Sequence, residues 1–271
     1  MLGSYYAFLW RLGPVAFSRG VPYARCAEYP AVLQRLAPGP DDRLLDVGSR
    51  YSPLPQILAR RHGCRVWAVD PEPDFQARQI AMAQRVAWAR ALVEQDRLHF
   101  QVQDAAHLAF PDGFFTKIAC ISVLEHVEDE AAVIRELARV LASGGRLVVS
   151  VPFDPWRDEP RYYRRAVYVD GQRDEPRFYM RYYSERNLRD RLIAPSGLVL
   201  REAAYYGEPG FNAHNLFFGN PCIPWFVRRI LFQPFAPLMA RWFIRRLEPA
   251  QFRHKTKMYT ADVAVLVLDR P

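Results

Sequence analysis

Between residues 40 and 152, short apolar strands alternate with amphipathic helices, and this alternation is what most limits the fold of the chain. Strands are predicted at 43–48, 64–70, 98–102, 115–122 and 146–152. Helices are predicted between them at 53–61, 73–94 and 128–141. Because strands that alternate with helices form a parallel sheet covered on both faces, the sequence predicts a Rossmann-like, doubly wound α/β fold.

Two acidic residues lie where such folds bind their ligands. Asp46 ends the first predicted strand, two residues before Gly48, and Asp70 ends the second strand. The carboxyl ends of parallel strands form one edge of the sheet, which is the usual ligand-binding edge. A carboxylate after the second strand suits a ribose diol, since it accepts hydrogen bonds from two hydroxyls. The alternative is that both acids cap neighbouring helices.

The loop after the first strand argues against a dinucleotide site. Such a site needs the pattern Gly-x-Gly-x-x-Gly so that the backbone approaches a pyrophosphate closely. Here Arg50 and Ser52 occupy the loop after Gly48. An acid two residues before the first glycine also suits an ammonium group better than a phosphate.

Four blocks in a fixed order resemble the class I S-adenosylmethionine-dependent methyltransferases, of the small-molecule type. They are Asp46-Val47-Gly48, then Asp70, then 103–110 with 112–115, and finally Ile121-Ser122-Val123-Leu124-Glu125-His126-Val127. The resemblance implies S-adenosylmethionine as the cofactor. It also implies a mostly parallel seven-stranded sheet with a reversed edge strand, for which 198–205 and 261–268 supply the late strands.

The resemblance assigns a set of cofactor-binding residues by position. They are Asp46, Gly48, Ser49, Arg50, Asp70, Pro71, Asp104, Ala105 and Ser122. Asp70 is expected at the ribose and Asp104 at the adenine amino group. The first loop has less glycine than the family usually has. Arg50 therefore either crowds the cofactor or pairs with its carboxylate, since a guanidinium matches carboxylate geometry.

Methyl transfer requires few catalytic groups from the protein, because a sulfonium methyl group is electrophilic and its leaving group is a neutral thioether. The site must align a nucleophile and exclude water. A weakly acidic acceptor also needs a base, and His126 is the first candidate because its pKa lies near working pH. Glu125 is the second. The alternative is that both residues only cap the next helix and line the cofactor pocket.

Three regions outside the core pattern are expected to select the acceptor. Residues 1–39 are predicted to form an N-terminal helical lid on the methyltransferase domain, which spans 40–271. Insertion 153–183 is rich in Tyr and Arg and is predicted to be an acceptor loop. It contains a near-duplicate, 157–163 and 173–179, that suggests a hairpin with similar arms. Insertion 207–260 is aromatic and basic.

The second insertion carries nearly all of the excess charge. Segment 209–258 contributes +7 of the net charge of +8. Residues 209–247 contain no acid and nine aromatic residues: Phe211, Phe217, Phe218, Trp225, Phe226, Phe232, Phe235, Trp242 and Phe243. Aromatic residues beside arginine suit the headgroup region of an anionic bilayer. A hydrophobic cap on the acceptor pocket and a homodimer interface are the alternatives.

Composition narrows the function classes further. No apolar stretch reaches the roughly 18 residues of a membrane span, and the four cysteines lack the spacing of a zinc site or disulfide framework. No metal site and no nucleic-acid partner are predicted. The sequence therefore predicts a cytoplasmic enzyme, peripheral on the inner face of the membrane if the insert binds lipid. It would methylate a small-molecule, lipid-linked or glycan-linked acceptor. The competing hypothesis is a non-catalytic scaffold with the same fold.

Overall fold

The computed structural model describes residues 1–157, 159–165, 172–209, 212–218, 220, 222–252 and 262–271. Several residues of the two predicted insertions lie outside the described ranges. They are Asp158 of the first near-duplicate copy, Phe211 of the aromatic insert, and the basic residues Arg253, Lys255 and Lys257.

The described strands follow the predicted alternation closely. They are β1 Arg43–Val47, β2 Arg65–Asp70, β3 Leu98–Val102, β4 Phe115–Ile121, β5 Leu141–Pro152, β6 Arg161–Arg165, β7 Gln172–Met180, β8 Val199–Gly207, β9 Arg245–Leu247 and β10 Val263–Asp269.

The described α-helices lie before and between these strands. They are α1 Leu2–Leu12, α2 Pro14–Arg19, α3 Tyr23–Leu36, α4 Leu54–His62, α5 Phe75–Gln84, α6 Ala87–Glu94, α7 Glu130–Val140, α8 Glu185–Asn187, α9 Ala194–Ser196, α10 Trp225–Val227 and α11 Ala236–Phe243. The single helix predicted at 73–94 is therefore two helices, because the chain leaves helical geometry at Val86 (φ −130°).

The main sheet confirms the doubly wound α/β prediction and corrects its strand count. Its order is β3-β2-β1-β4-β5-β10-β8-β9, with β1 to β5 parallel. The predicted count of seven is wrong for the described residues, because Arg245–Leu247 of the aromatic insert adds an eighth strand beside β8. Two strands run against the parallel set: β10, which lies between β5 and β8, and β9, which is the reversed strand at the edge of the sheet.

Apolar residues cover both faces of this sheet, as predicted. One face packs Leu44, Val66 and Ala119 against helices α1, α3, α4, α5 and α6. The other packs Leu45 and Ile118 together with α7 and the helical segment that follows α8. Because alternate strand residues point to opposite faces, the near-continuous apolar strands fill both layers.

The first insertion contains the hairpin suggested by the near-duplicate. Strands β6 and β7 pair antiparallel, with Tyr162 opposite Phe178 in the register. The two copies therefore lie on opposite arms of one ribbon. Phe153, before the hairpin, and Tyr183, after it, form an isolated parallel bridge at its base.

Candidate functional site

A cavity of about 560 Å³ opens at the carboxyl edge of β1, β2 and β4. Most of the residues predicted to bind the cofactor line it, from loops after three strands. The lining is Tyr5, Pro22, Arg25, Tyr29, Asp46, Val47, Gly48, Ser49, Arg50, Tyr51, Ser52, Leu54, Asp70, Pro71, Glu72, Ile121, Ser122, Val123, His126 and Val127. The parallel register of β1 with β2 and β4 brings these distant loops together.

Asp46 is a buried carboxyl at the floor of this cavity. Only 3% of the residue is exposed, and the Ser49 hydroxyl donates to its Oδ2 at 2.6 Å. Burial raises the pKa of Asp46 to about 7, and the nearby charge of Asp70 adds to the rise. A cation placed beside Asp46 would favour its ionised form, so this position suits a positively charged group.

The first loop is held tightly against Asp70. The Arg50 backbone N–H donates to Asp70 Oδ2 at 2.9 Å, and the Glu72 N–H donates to Oδ1 at 3.1 Å. A carboxylate has about four acceptor positions, so each oxygen of Asp70 can accept one further bond. Gly48 has φ of 69°, and a Cβ there would overlap the side chain of Val123. The one glycine of this loop is therefore required by packing as well as by backbone geometry.

Arg50 and Ser122 have left-handed backbone conformations, with φ of 43° and 48°. Non-glycine residues in this region are uncommon, and such strain concentrates at functional sites. The Arg50 guanidinium lies over the Tyr51 ring, 5.1 Å from its centroid. The Tyr51 side chain is exposed, and the Arg78 guanidinium also lies over its ring, 4.8 Å from the centroid.

The N-terminal helix α3 contributes an ion pair that the sequence did not predict. Arg25 pairs with Glu28 one turn later, and Glu28 is only 2% exposed. The Ser122 hydroxyl donates to Glu28 Oε1 at 2.7 Å, which links α3 to the loop after β4. A signal existed: Arg25 and Glu28 have i,i+3 spacing, and a buried acid requires such a partner.

His126 lies at the cavity wall, with its ring orientation fixed by the hairpin. Its Nδ1 is 3.0 Å from the carbonyl oxygen of Tyr179. Because a carbonyl only accepts, Nδ1 carries the proton, and Nε2 of the neutral ring keeps its lone pair. Burial lowers the pKa of His126, and the charges of Arg25 and Arg50 lower it further. The imidazole is therefore neutral at physiological pH.

Glu125 lies behind the cavity wall rather than in it. It is 3% exposed, and its Oε2 has no hydrogen-bond partner among the described residues. Its Oε1 is 3.9 Å from His126 Nε2. Burial raises the pKa of Glu125 to about 8, against the opposing effect of Arg25. At neutral pH this carboxyl is mainly protonated, so it does not serve as a strong base.

The raised pKa of Glu125 predicts a pH-dependent stability. The folded state holds the proton up to about pH 8, whereas the unfolded group releases it near its usual pKa of 4.5. This contribution is therefore complete at pH 4, and it is lost as the pH rises through 8. The loss accumulates between pH 4.5 and about pH 8 and totals roughly 5 kcal/mol. We expect Glu125→Gln to remove it, as measured by urea unfolding at pH 5 and pH 9.

The matched control is Glu128→Gln, which neutralises an exposed acid three residues away. The control should follow wild type at both pH values. A free-energy difference between Glu125→Gln and wild type that does not grow toward pH 9 would contradict the assignment of a raised pKa.

Two predicted cofactor residues lie outside the cavity lining. Asp104 is exposed two residues beyond β3, and its Oδ1 accepts from the Ala106 N–H at 2.9 Å. Ala105 is buried beside it. Both follow Gln103, whose N–H donates to the Asp70 carbonyl at 3.1 Å. They therefore share the ligand-binding edge of the sheet with Asp70.

The elements that build this site match those of known proteins in the same order along the chain. A family model described as a methyltransferase domain matches residues 22–202, which includes α3, the cavity and the sheet up to β8. The chain belongs to this methyltransferase domain family. This membership confirms the resemblance to class I S-adenosylmethionine-dependent methyltransferases, with S-adenosylmethionine as the cofactor of the family.

Curated relatives of this chain differ in the atom they methylate. An ajmaline N-methyltransferase of Rauvolfia serpentina is 30% identical over 41% of this chain and 38% of its own length. A ubiquinone biosynthesis O-methyltransferase of Xanthomonas oryzae pv. oryzae is 35% identical over 40% of this chain and 42% of its own. The chain therefore spans about two fifths of the length of the curated relatives it matches.

A solved structure reproduces the fold over nearly the whole chain. A geranyl diphosphate methyltransferase, solved in complex with SAM, superposes with a TM-score of 0.58 over 99% of this chain and 91% of that chain. Sequence identity in this superposition is 18%. The similarity establishes the arrangement of the sheet and its helices.

Proposed function

We propose that this protein transfers the methyl group of S-adenosylmethionine to a small-molecule acceptor in the 560 Å³ cavity. The observation that carries the proposal is the convergence of Asp46, Asp70 and His126 on one cavity at the carboxyl edge of the sheet. When bound, the cofactor supplies an electrophilic methyl group on a sulfonium whose leaving group is a neutral thioether.

The chemistry of the donor set fits this cofactor. Asp70 has two remaining acceptor positions, one on each oxygen, which suit the two hydroxyls of a ribose. Asp46 is buried and accepts only from Ser49 among the described side chains, so an ammonium group would complete its pairing. Arg50 lies on the same rim and suits a carboxylate. Asp104 is proposed for the adenine amino group, at the neighbouring strand end.

His126 is proposed as the base that removes a proton from the acceptor. Its Nδ1 proton is held by the Tyr179 carbonyl, which leaves Nε2 as the accepting atom. The positive fields of Arg25 and Arg50 oppose a second proton on the ring. His126 therefore stays unprotonated until the acceptor delivers a proton, as a general base requires.

The N-terminal segment supplies part of the cavity wall, and we propose it as the lid of the acceptor site. Tyr5 and Tyr29 place their hydroxyls 3.3 and 3.5 Å from Ser52 Oγ. Pro22 and Arg25 complete this wall. A mixed aromatic and cationic wall suits an acceptor with a flat or apolar body and a polar group. The hairpin acts on this site through His126, as the proposed acceptor loop.

Binding of S-adenosylhomocysteine separates this proposal from the non-catalytic scaffold. Calorimetry on the wild-type chain should give saturable one-to-one binding. Incubation of radiolabelled S-adenosylmethionine with cell extracts should then label a small molecule or lipid. Saturable binding without any labelled product would favour the scaffold, and absence of binding would contradict the proposal.

We further propose that an exposed aromatic face places this enzyme on an anionic membrane surface. The face comprises Trp225, Phe226, Ile230, Leu231, Phe235, Leu238 and Trp242 of the insert and Trp10 and Val15 of the N-terminal helices. Arg229 joins the two parts, since it donates to Ser18 Oγ and to the Val15 carbonyl. No helix of the described residues has the length and apolarity needed to cross a bilayer.

Only some arginines of the insert are available to contact lipid headgroups at this face. Arg228 donates to the Phe218 carbonyl, and Arg246 pairs at 3.1 Å with Glu202 of β8. These residues hold the insert in place. Arg241 and Arg245 are exposed and belong to α11 and the start of β9. They are therefore the arginines proposed to meet lipid headgroups.

Vesicle sedimentation tests this placement. Arg241→Gln with Arg245→Gln should weaken binding to anionic vesicles about 30-fold, since each basic residue contributes roughly 1 kcal/mol near such a surface. Trp225→Ala with Trp242→Ala should weaken it even at low salt, through lost interfacial area. Binding should decline with salt, because the Debye length falls from about 10 Å at 0.1 M to about 3 Å at 1 M.

The control is Val199→Ala with Leu200→Ala, an exposed apolar pair at the end of β8 remote from the insert. This variant should sediment like wild type. Equal binding to neutral vesicles, or no sedimentation, would contradict the membrane proposal. The face would then be assigned to a second copy of the chain, which analytical ultracentrifugation would detect.

A further inference from the structure

A second cavity lies behind the first and shares two of its helices. It measures about 260 Å³ and opens between α1, α4 and α6. Its lining is Ser4, Ala7, Phe8, Arg11, Ile57, Arg60, Arg61 and Trp88, which we name the arginine cleft. The four α1 residues have the i, i+3, i+4, i+7 spacing of one helix face.

The charge of the arginine cleft is uncompensated. Arg11, Arg60 and Arg61 line it together with no acid. None of the three forms an ion pair within the described part of the chain. The positive charge also affects a neighbouring group. Burial is the main reason that the pKa of His62 is lowered, and the charge of Arg61 lowers it further. A cleft with three such guanidinium groups attracts anions.

Helix-dipole stabilisation accounts for only part of this arrangement. Arg60 and Arg61 lie in the last turn of α4, and Arg11 lies in the last turn of α1, where basic residues are favourable. That effect acts within each helix and does not require arginines of two helices to meet over one cavity. It also leaves unexplained the Arg60 guanidinium over the Trp88 ring, 4.3 Å from its centroid. Stacking holds this group in a fixed orientation.

We propose that the arginine cleft binds the phosphate group of an anionic ligand. Guanidinium groups match phosphate oxygens in a bidentate manner, and three of them converge here from two helices. Ser4 adds a hydroxyl, and Trp88 and Phe8 form an apolar wall for the part of the ligand next to the phosphate. The ligand class is a phosphate monoester or diphosphate.

An occupant of the cleft is coupled to the first cavity through the shared helices. Tyr5 of α1 and Leu54 of α4 line the first cavity, whereas Arg11 and Arg60 of the same helices line the cleft. A phosphate bridging the two helices holds α1 against α4 and so keeps Tyr5 in the cavity wall. By linkage, the phosphate and a ligand of the first cavity strengthen each other's binding by the same factor.

Calorimetry with inorganic pyrophosphate tests the site without any methyl transfer. We expect saturable binding to wild type, and at least about tenfold weaker binding to Arg60→Gln with Arg61→Gln, since charge-assisted hydrogen bonds are lost. The matched control is Arg90→Gln with Arg186→Gln, which removes the same charge from two exposed arginines outside the cleft. The control should bind like wild type.

A soluble short-chain phosphatidic acid distinguishes a lipid source from a free phosphate source. Binding of pyrophosphate and the lipid alike, lost in the cleft variant, supports a site for a phosphate group in general. Binding of the lipid alone, lost in the same variant, supports a lipid headgroup. Equal affinity in the cleft and control variants, or no binding of either probe, overturns the proposal. The titrations contain no ligand of the first cavity, so these outcomes are distinguishable from failure of the proposed methyl transfer.

Discussion

Asp70→Ala is expected to weaken the binding of S-adenosylhomocysteine by about 10²- to 10⁴-fold, as measured by calorimetry. The substitution removes both oxygens that are available to a ribose diol. Hydrogen bonds to a charged partner contribute about 1.5–3 kcal/mol each, and the loss of two such bonds corresponds to this decrease in affinity. Asp70→Asn should lose less, because one acceptor oxygen stays in place.

The position of Asp70 requires a control for the shape of the loop, since it also accepts from the Arg50 and Glu72 N–H groups. Asp74→Asn removes an acid outside the cavity lining and should bind like wild type. Methylthioadenosine, which has the ribose but lacks the amino-acid group, should lose as much affinity as the full ligand in Asp70→Ala. Unchanged affinity in that variant would contradict the ribose assignment.

His126→Ala is expected to lower turnover by about 10²- to 10⁴-fold, the usual contribution of a positioned general base. Affinity for S-adenosylhomocysteine should change little, because the proposed cofactor contacts come from other residues. His107→Ala removes an exposed histidine outside the cavity and should leave turnover intact. The measurement is transfer of radiolabel to the acceptor found in extracts.

The pH dependence of turnover has a definite sign. The base acts only when it is neutral, so the rate should rise with pH, and the midpoint of the rise should lie below pH 6.5 because burial lowers the pKa of His126. Nitrogen-15 NMR should show the neutral ring protonated on Nδ1, as the Tyr179 contact requires. A ring protonated on Nε2 would leave no lone pair on the nitrogen proposed as the base, and wild-type turnover in His126→Ala would place the base elsewhere.

In the proposed function, the cofactor contacts and the selection of the acceptor come from different parts of the chain. The strand-end acids belong to the core pattern, whereas Tyr5, Arg25 and Tyr29 of the cavity lining come from helices before β1. The Tyr179 carbonyl comes from the hairpin after β5. Changes in the N-terminal helices can therefore alter the acceptor without disturbing the proposed cofactor contacts.

The sequence by itself determined the fold class, the family and the edge of the sheet where Asp46 and Asp70 meet. These features are local, because strand and helix periodicity and strand-end acids are visible within short windows. The alternation also determined that the sheet is covered on both faces. The seven-strand count failed because β9 has three residues, too few to show any periodicity.

Only the tertiary structure decided which groups surround the proposed base and how the insert is held. Glu28 and Ser122 are 94 residues apart, and Tyr179 acts on His126 through a backbone carbonyl, which leaves no mark in the amino-acid sequence. The same holds for Arg229, which joins the insert to α2 across more than 200 residues. Such contacts depend on how separate elements pack, so no local pattern of residues predicts them.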